Sequence, residues 1–102
     1  MTAREHPATD HEAELVDGVQ LVDVREPFEV AAGTLPGFVN IPLGELAARV
    51  GELDPSRRVL VLCRSGNRSG HAAHWLAGQG FADVVNLTGG MVAVDRATRL
   101  AG

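Results

Sequence analysis

The sequence predicts one α/β domain built on a small open, mostly parallel sheet with helices on both faces. Three observations predict it. Short apolar runs with β-branched members alternate with segments whose apolar residues recur at helical spacing, the signature of βαβ units. One run, Val59-Leu60-Val61-Leu62, is apolar without interruption, as a strand buried on both faces of a parallel sheet must be. The chain has 102 residues, 45% hydrophobic and 22% charged, enough for one core and too few for a second domain.

The elements follow in order. The first dozen residues are polar, include Pro7 and show no periodicity; they read as a flexible lead-in over residues 1–12, with the domain over 13–102. Leu21, Val22 and Val24 predict a strand. Residues 26–33 predict a short helix, because Pro27 has the φ of a first helical turn and Gly33 suits the stop. A second extended piece over 38–41 closes at Pro42, and Leu43, Leu46, Ala47 and Val50 then recur at helical spacing until Asp54 and Pro55 break the pattern. The 59–62 run is the predicted central strand. A polar loop leads from it to a helix whose Ala72, Ala73, Leu76 and Ala77 form one stripe and which stops near Gly78 or Gly80. Val84, Val85 and Leu87 predict the last strand, Gly89 and Gly90 a turn, and residues 91–100 a closing helix.

Composition excludes several functions. Nine basic against thirteen acidic residues give a net charge of −4, which argues against a nucleic-acid partner. All nine basic residues are arginine, so Schiff-base chemistry is excluded and any cationic site is a guanidinium site. Cys63 is the one cysteine and can form neither an internal disulfide nor a multi-cysteine zinc site. No apolar stretch of ~20 residues is present and the N-terminus is polar, so no membrane association and a cytoplasmic location are expected.

In open parallel sheets ligands gather outside the carboxyl ends of the strands. Two segments fall there: residues 23–26 and the loop Cys63-Arg64-Ser65-Gly66-Asn67-Arg68-Ser69. Such a loop, between a buried strand and a helix, can curl its backbone N–H groups inward to hold an anion, and the same donors favour thiolate over thiol. Cys63 is therefore the candidate nucleophile. Arg64 and Arg68 are the candidate anion contacts, with the amides of Gly66, Asn67, Arg68 and Ser69 as the cradle. No acidic residue lies between Asp54 and Asp83, whereas Arg57, Arg58, Arg64 and Arg68 do, although the first two precede the strand and sit at the opposite end of the sheet. Against this stands the commoner role of a lone cysteine as a small buried apolar residue. The polar, arginine-flanked surroundings weigh against that role here.

Other residues have simpler readings. Asp23 and Arg25 lie two apart on a strand and share a face, which favours a structural ion-pair network over substrate contact. His71 and His74 are three apart on a helix without a third ligand, so a solvated face is expected rather than a metal site, and Trp75 is read as packing.

Four ordered segments carry a family resemblance: residues 21–27 (LVDVREP), 33–42 (GTLPGFVNIP), 63–69 (CRSGNRS) and 86–91 (NLTGGM). Together they resemble the single-domain rhodaneses, which are sulfurtransferases, over about residues 19–94. The resemblance implies a rhodanese-like fold and a Cys63 that accepts a sulfane sulfur as a persulfide and passes it to a second nucleophile. Thiosulfate would be the donor and cyanide or a thiol the acceptor, making the chain a thiosulfate sulfurtransferase. It implies no cofactor and no metal; the partners are a small anionic sulfur donor and a thiol or sulfur-carrier protein. Thr34 stands where a histidine is common, Phe38 where a small residue is common, and Val94 where a tryptophan often follows the Gly-Gly turn, which leaves acceptor identity open.

The chemistry agrees with the residues. When a thiolate attacks the outer sulfur of thiosulfate, sulfite leaves as a stable anion that needs no proton, and no acid stands in the loop. A cysteine phosphatase on the same fold is the rival enzyme, but its loop resembles cysteine, five residues and arginine, whereas only Arg64 to Asn67 separate Cys63 from Arg68. It would also need a general acid for its alkoxide leaving group. A non-catalytic, sulfur-relay or redox-sensing module is the rival from another class.

Overall fold

The computed structural model describes residues 2–101. Five strands, β1 (Arg4–Pro7), β2 (Gln20–Asp23), β3 (Val39–Asn40), β4 (Val59–Leu62) and β5 (Val84–Thr88), form one all-parallel sheet in the order β1-β5-β4-β2-β3. Four α-helices accompany them: α1 (Pro27–Ala31), α2 (Leu46–Arg49), α3 (Asn67–Gly78) and α4 (Gly90–Ala101). This is the α/β architecture expected, with β4 in the middle.

Strand alternation divides the interior into two layers. Val22, Val59, Val61 and Val84 face α3 and α2, packing with Ala72, Ala73, Leu76, Phe81 and Leu46. Leu60, Leu62, Val85 and Leu87 face the other way, against Ala8, Leu35 and Met91. Because both faces are covered, every residue of β4 is buried, which is why its sequence carries no polar alternation. Cys63 continues the 59–61–63 phase and belongs to the α3 side.

Local chemistry sets the helix ends. Pro27 opens α1, and Glu29 Oε1 accepts the Glu26 N–H at 3.0 Å, satisfying one orphan donor of the first turn. Gly66, at φ 99°, precedes α3, whose apolar stripe Ala72, Ala73, Leu76 and Ala77 is buried as expected. Gly80, at φ 94°, follows its end.

Two expectations are corrected. Within the expected lead-in, residues 4–12 are not frayed, since β1 pairs in parallel with β5 from Arg4↔Val85 to Pro7↔Thr88, and a 3₁₀ segment, Ala8–Glu14, follows with Ala8 fully buried. Arg4 Nη2 ties this end down through Glu14 and Asp83, both at 2.9 Å. An edge strand needs no apolar repeat and tolerates proline at its end, so its sequence gives no hydrophobic signal. The helix expected across residues 43–50 is also broken into a 3₁₀ turn (Leu43–Glu45), α2 and a second 3₁₀ turn (Val50–Glu52). Gly44 and Gly51 weaken a continuous helix there, while Leu46 keeps the buried position that its spacing indicated.

Deleting residues 1–7 removes the β1 ladder from β5, and with about 1 kcal/mol per lost hydrogen bond the domain should lose on the order of 2 kcal/mol or more. Urea unfolding of the full and shortened chains measures this; equal midpoints would mean that β1 contributes nothing.

Candidate active site

β4 delivers Cys63 to the carboxyl edge of the sheet, where the chain turns through residues 64–66 into α3. Two backbone bonds from the start of α4 control this turn: Met91 N–H donates to the Cys63 carbonyl at 3.0 Å and Val92 N–H to the Arg64 carbonyl at 2.9 Å. A planar trans peptide points its N–H opposite to its C=O, so a carbonyl held on α4 aims the next amide, that of Ser65, toward the sulfur. Gly90 is required for the approach. It lies at φ 55°, and a Cβ there would collide with the Cys63 and Arg64 carbonyls.

The result is a ring of donors around Sγ. Gly66 N–H donates at 3.0 Å and the Ser69 hydroxyl lies at 3.2 Å, with the amides of Ser69 and Ser65 also directed to the sulfur. Burial pushes the thiol pKa up, but the Ser69 hydroxyl and the amides of Ser69, Gly66 and Ser65 outweigh it, so the thiol ionises more readily than an ordinary cysteine. Cys63 is only 1% exposed, enclosed by these donors.

The surrounding charges are mostly matched. Arg68 was expected to contact an anion, but its Nη1 and Nη2 form a bidentate pair with Glu29 at 2.7 and 2.9 Å. That guanidinium, with the Glu26 amide assisting, holds the Glu29 carboxyl down at about 2 against desolvation. Arg25 is likewise occupied: Nε and Nη2 grip the fully buried Asp23, and Nη2 also donates to the Gly33 carbonyl at 2.7 Å. Thr34 Oγ1 donates to Asp23 at 2.7 Å, giving this departure from the family pattern a structural place. Arg64 is exposed and, among the described residues, has no carboxylate partner. It lines a cleft of about 370 Å³ with Arg25, Glu29, Ala32, Met91, Val92, Asp95 and Arg99.

Of the residues singled out from sequence, the structure brings Ser65, Gly66 and Ser69 together around Cys63. Asn67 is exposed at the first position of α3, Asp23 and Arg25 pair with each other, and Arg58 is bound to Asp83 at 2.7 Å at the far end of β4. His71 and His74 are exposed, and Trp75 packs against the α3-side core. Glu29 and Glu5 were not anticipated, and Asn86 entered only as the first residue of the 86–91 segment, without a role. Asn86 is buried and accepts the Ser69 hydroxyl at 2.6 Å, while its amide nitrogen reaches Glu5 and the Gly66 carbonyl, each at 3.2 Å. A polar residue inside the apolar run 84–87 was the available signal for Asn86; Glu29 had only its capping distance from Glu26.

The family model described as "Rhodanese-like domain" matches residues 8–97. The chain belongs to this rhodanese-like family. A sulfurtransferase from Allochromatium vinosum is 40% identical over 77 residues, which cover 76% of this chain and 72% of that protein. The Arabidopsis thaliana protein named "Rhodanese-like/PpiC domain-containing protein 12, chloroplastic" is 43% identical over 82 residues, but the matched stretch is 27% of its length. A rhodanese-related protein from Thermoplasma volcanium has a solved structure that superposes with a TM-score of 0.75 at 33% identity, covering 86% of each chain.

In this rhodanese-like domain Asp23→Ala leaves Arg25 buried without its counter-charge and should cost about 3–5 kcal/mol of stability by urea unfolding. A loss under 1 kcal/mol would show that the pair contributes little. Glu29 has a folded pKa below its unfolded value of 4.5, so its stabilisation is complete above that value and fades as pH falls toward about 2. The wild type should thus exceed Glu29→Gln in urea midpoint at pH 6, and the gap should close as pH is lowered toward 2; a constant gap contradicts the linkage.

Proposed function

We propose that the chain is a sulfurtransferase that carries sulfane sulfur as a Cys63 persulfide. The observation that carries this reading is the convergence of Gly66, Ser69 and Ser65 donors on one buried sulfur. The backbone donors are fixed before any reactant arrives, so stabilising negative sulfur needs little reorganisation of the main chain.

With thiosulfate as donor, the Cys63 thiolate attacks the outer sulfur, a new S–S bond forms, and the bond to the sulfonate sulfur breaks with its electron pair leaving on sulfite. No proton is transferred, which suits a loop without an acid. A thiophilic acceptor, cyanide or a thiol, then attacks the outer sulfur and returns the electron pair to Cys63. Arg64, exposed beside the cleft, is the cation placed to attract an anionic donor, whereas Arg68 has its charge answered by Glu29. Arg64, rather than Arg68, is assigned the anion contact. The sulfurtransferase relative supports the reaction class. The phosphatase alternative is disfavoured because the loop arginine is already engaged by a carboxylate and four residues separate it from the cysteine.

Intact-mass measurement after incubation with thiosulfate should show a gain of one sulfur atom on the wild type and none on Cys63→Ser, with negligible release of phosphate from aryl phosphates. No gain on the wild type, or aryl phosphate turnover matching thiosulfate cleavage, would overturn the assignment.

A further inference from the structure

Ser69 places one hydroxyl proton between two acceptors. Its Oγ lies 2.6 Å from Asn86 Oδ1 and 3.2 Å from Cys63 Sγ. A hydroxyl has one hydrogen to donate, so it serves one or the other. Asn86 cannot offer its NH₂ group instead, because Nδ2 is committed to Glu5 Oε2 and the Gly66 carbonyl, which orients Oδ1 toward Ser69. Ser69 is fully buried and Asn86 is 4% exposed, so bulk water is not a ready substitute partner for either.

We propose that Asn86, pinned by Glu5 and the Gly66 carbonyl, is a positioning residue that competes with Cys63 for the Ser69 hydroxyl and so favours the states in which Sγ carries no charge. In the thiol state S–H donates to Ser69 Oγ and Ser69 donates to Asn86, and every group is satisfied. When the thiol proton leaves to solvent, the anionic sulfur draws the hydroxyl hydrogen, and Asn86 Oδ1 loses its donor while buried. In the persulfide, Sγ is bonded to both Cβ and the outer sulfur, the negative charge resides on the outer sulfur, and the hydroxyl returns to Asn86. Attack by an acceptor on the outer sulfur breaks the S–S bond, restores the electron pair to Sγ and turns the hydroxyl back. Asn86 therefore penalises the free thiolate and lengthens the life of the loaded state.

This rests on the persulfide reading for its loaded state, but its resting state is measured without any sulfur donor. The charged groups around Cys63 are Arg64 on the loop, Arg68 on α3 balanced by Glu29 on α1, Arg25 just after β2 balanced by Asp23 at the end of that strand, and Glu5 on β1. Asp95 and Arg99 of α4 line the neighbouring cleft.

The test is the pH profile of Cys63 alkylation by iodoacetamide, followed by intact mass. Asn86→Leu should move the midpoint down, giving about threefold more thiolate on the acid side of the midpoint. Ser69→Ala should move it up, and Ser69→Ala/Asn86→Leu should coincide with Ser69→Ala, because Asn86 acts through the hydroxyl. A zero or upward shift in Asn86→Leu, or its full downward shift persisting in the Ser69→Ala background, overturns the proposal. Should Asn86→Leu not fold, the exposed Glu5 decides: Glu5→Ala releases the Asn86 amide and should lower the midpoint, while Glu5→Gln keeps an acceptor and should leave it in place. Equal shifts in both, or none in Glu5→Ala, refute the role. A normal pH profile shift in a protein that gains no sulfur from thiosulfate would separate this coupling from the proposed activity.

Discussion

Two main-chain hydrogen bonds, from Met91 N–H to the Cys63 carbonyl and from Val92 N–H to the Arg64 carbonyl, set the direction of the chain as it leaves the central strand. Everything at the site depends on that direction. With the Arg64 carbonyl turned to α4, the Ser65 amide faces the sulfur beside those of Gly66 and Ser69, and the loop becomes a donor ring rather than a mixed polar surface. Gly90 makes the approach sterically possible, and Gly66 supplies the positive φ that starts α3. The helix after the loop and the helix after β5 thus cooperate on one sulfur from opposite sides in sequence.

The domain carries a net charge of −4 and still favours an anion at Cys63. Net charge acts over distance and is screened within about 10 Å at moderate salt, whereas the sulfur responds to donors at 3.0 and 3.2 Å. The arginines mainly organise the scaffold. Arg25 holds the end of β2 to the segment after α1, Arg68 holds α3 to α1, and Arg58 closes the opposite end of the sheet on Asp83. Arg64 alone of the loop arginines has no carboxylate partner among the described residues.

β1 has two roles. It covers one edge of β5, and it brings Glu5 within 3.2 Å of the Asn86 amide. The edge of the sheet is thereby linked to the loop that carries Cys63 through a buried asparagine and a buried serine.

The α/β class, the central position of 59–62, the buried stripe of α3 and the candidacy of Cys63 were legible in the chain, because each depends on local periodicity or on residues adjacent in sequence. Gly66, Ser69 and the paired Asp23 and Arg25 were legible for the same reason. What the chain could not reveal were partnerships across long separations: Arg68 with Glu29, Asn86 with Glu5, and the α4 amides with the Cys63 and Arg64 carbonyls. An edge strand such as β1 also hides, since pairing through its backbone asks little of its side chains. Sequence determined which atoms could do chemistry, and tertiary structure decided which of them face the sulfur, because a hydrogen bond is won by whichever donor the packed fold brings within about 3 Å at a usable angle.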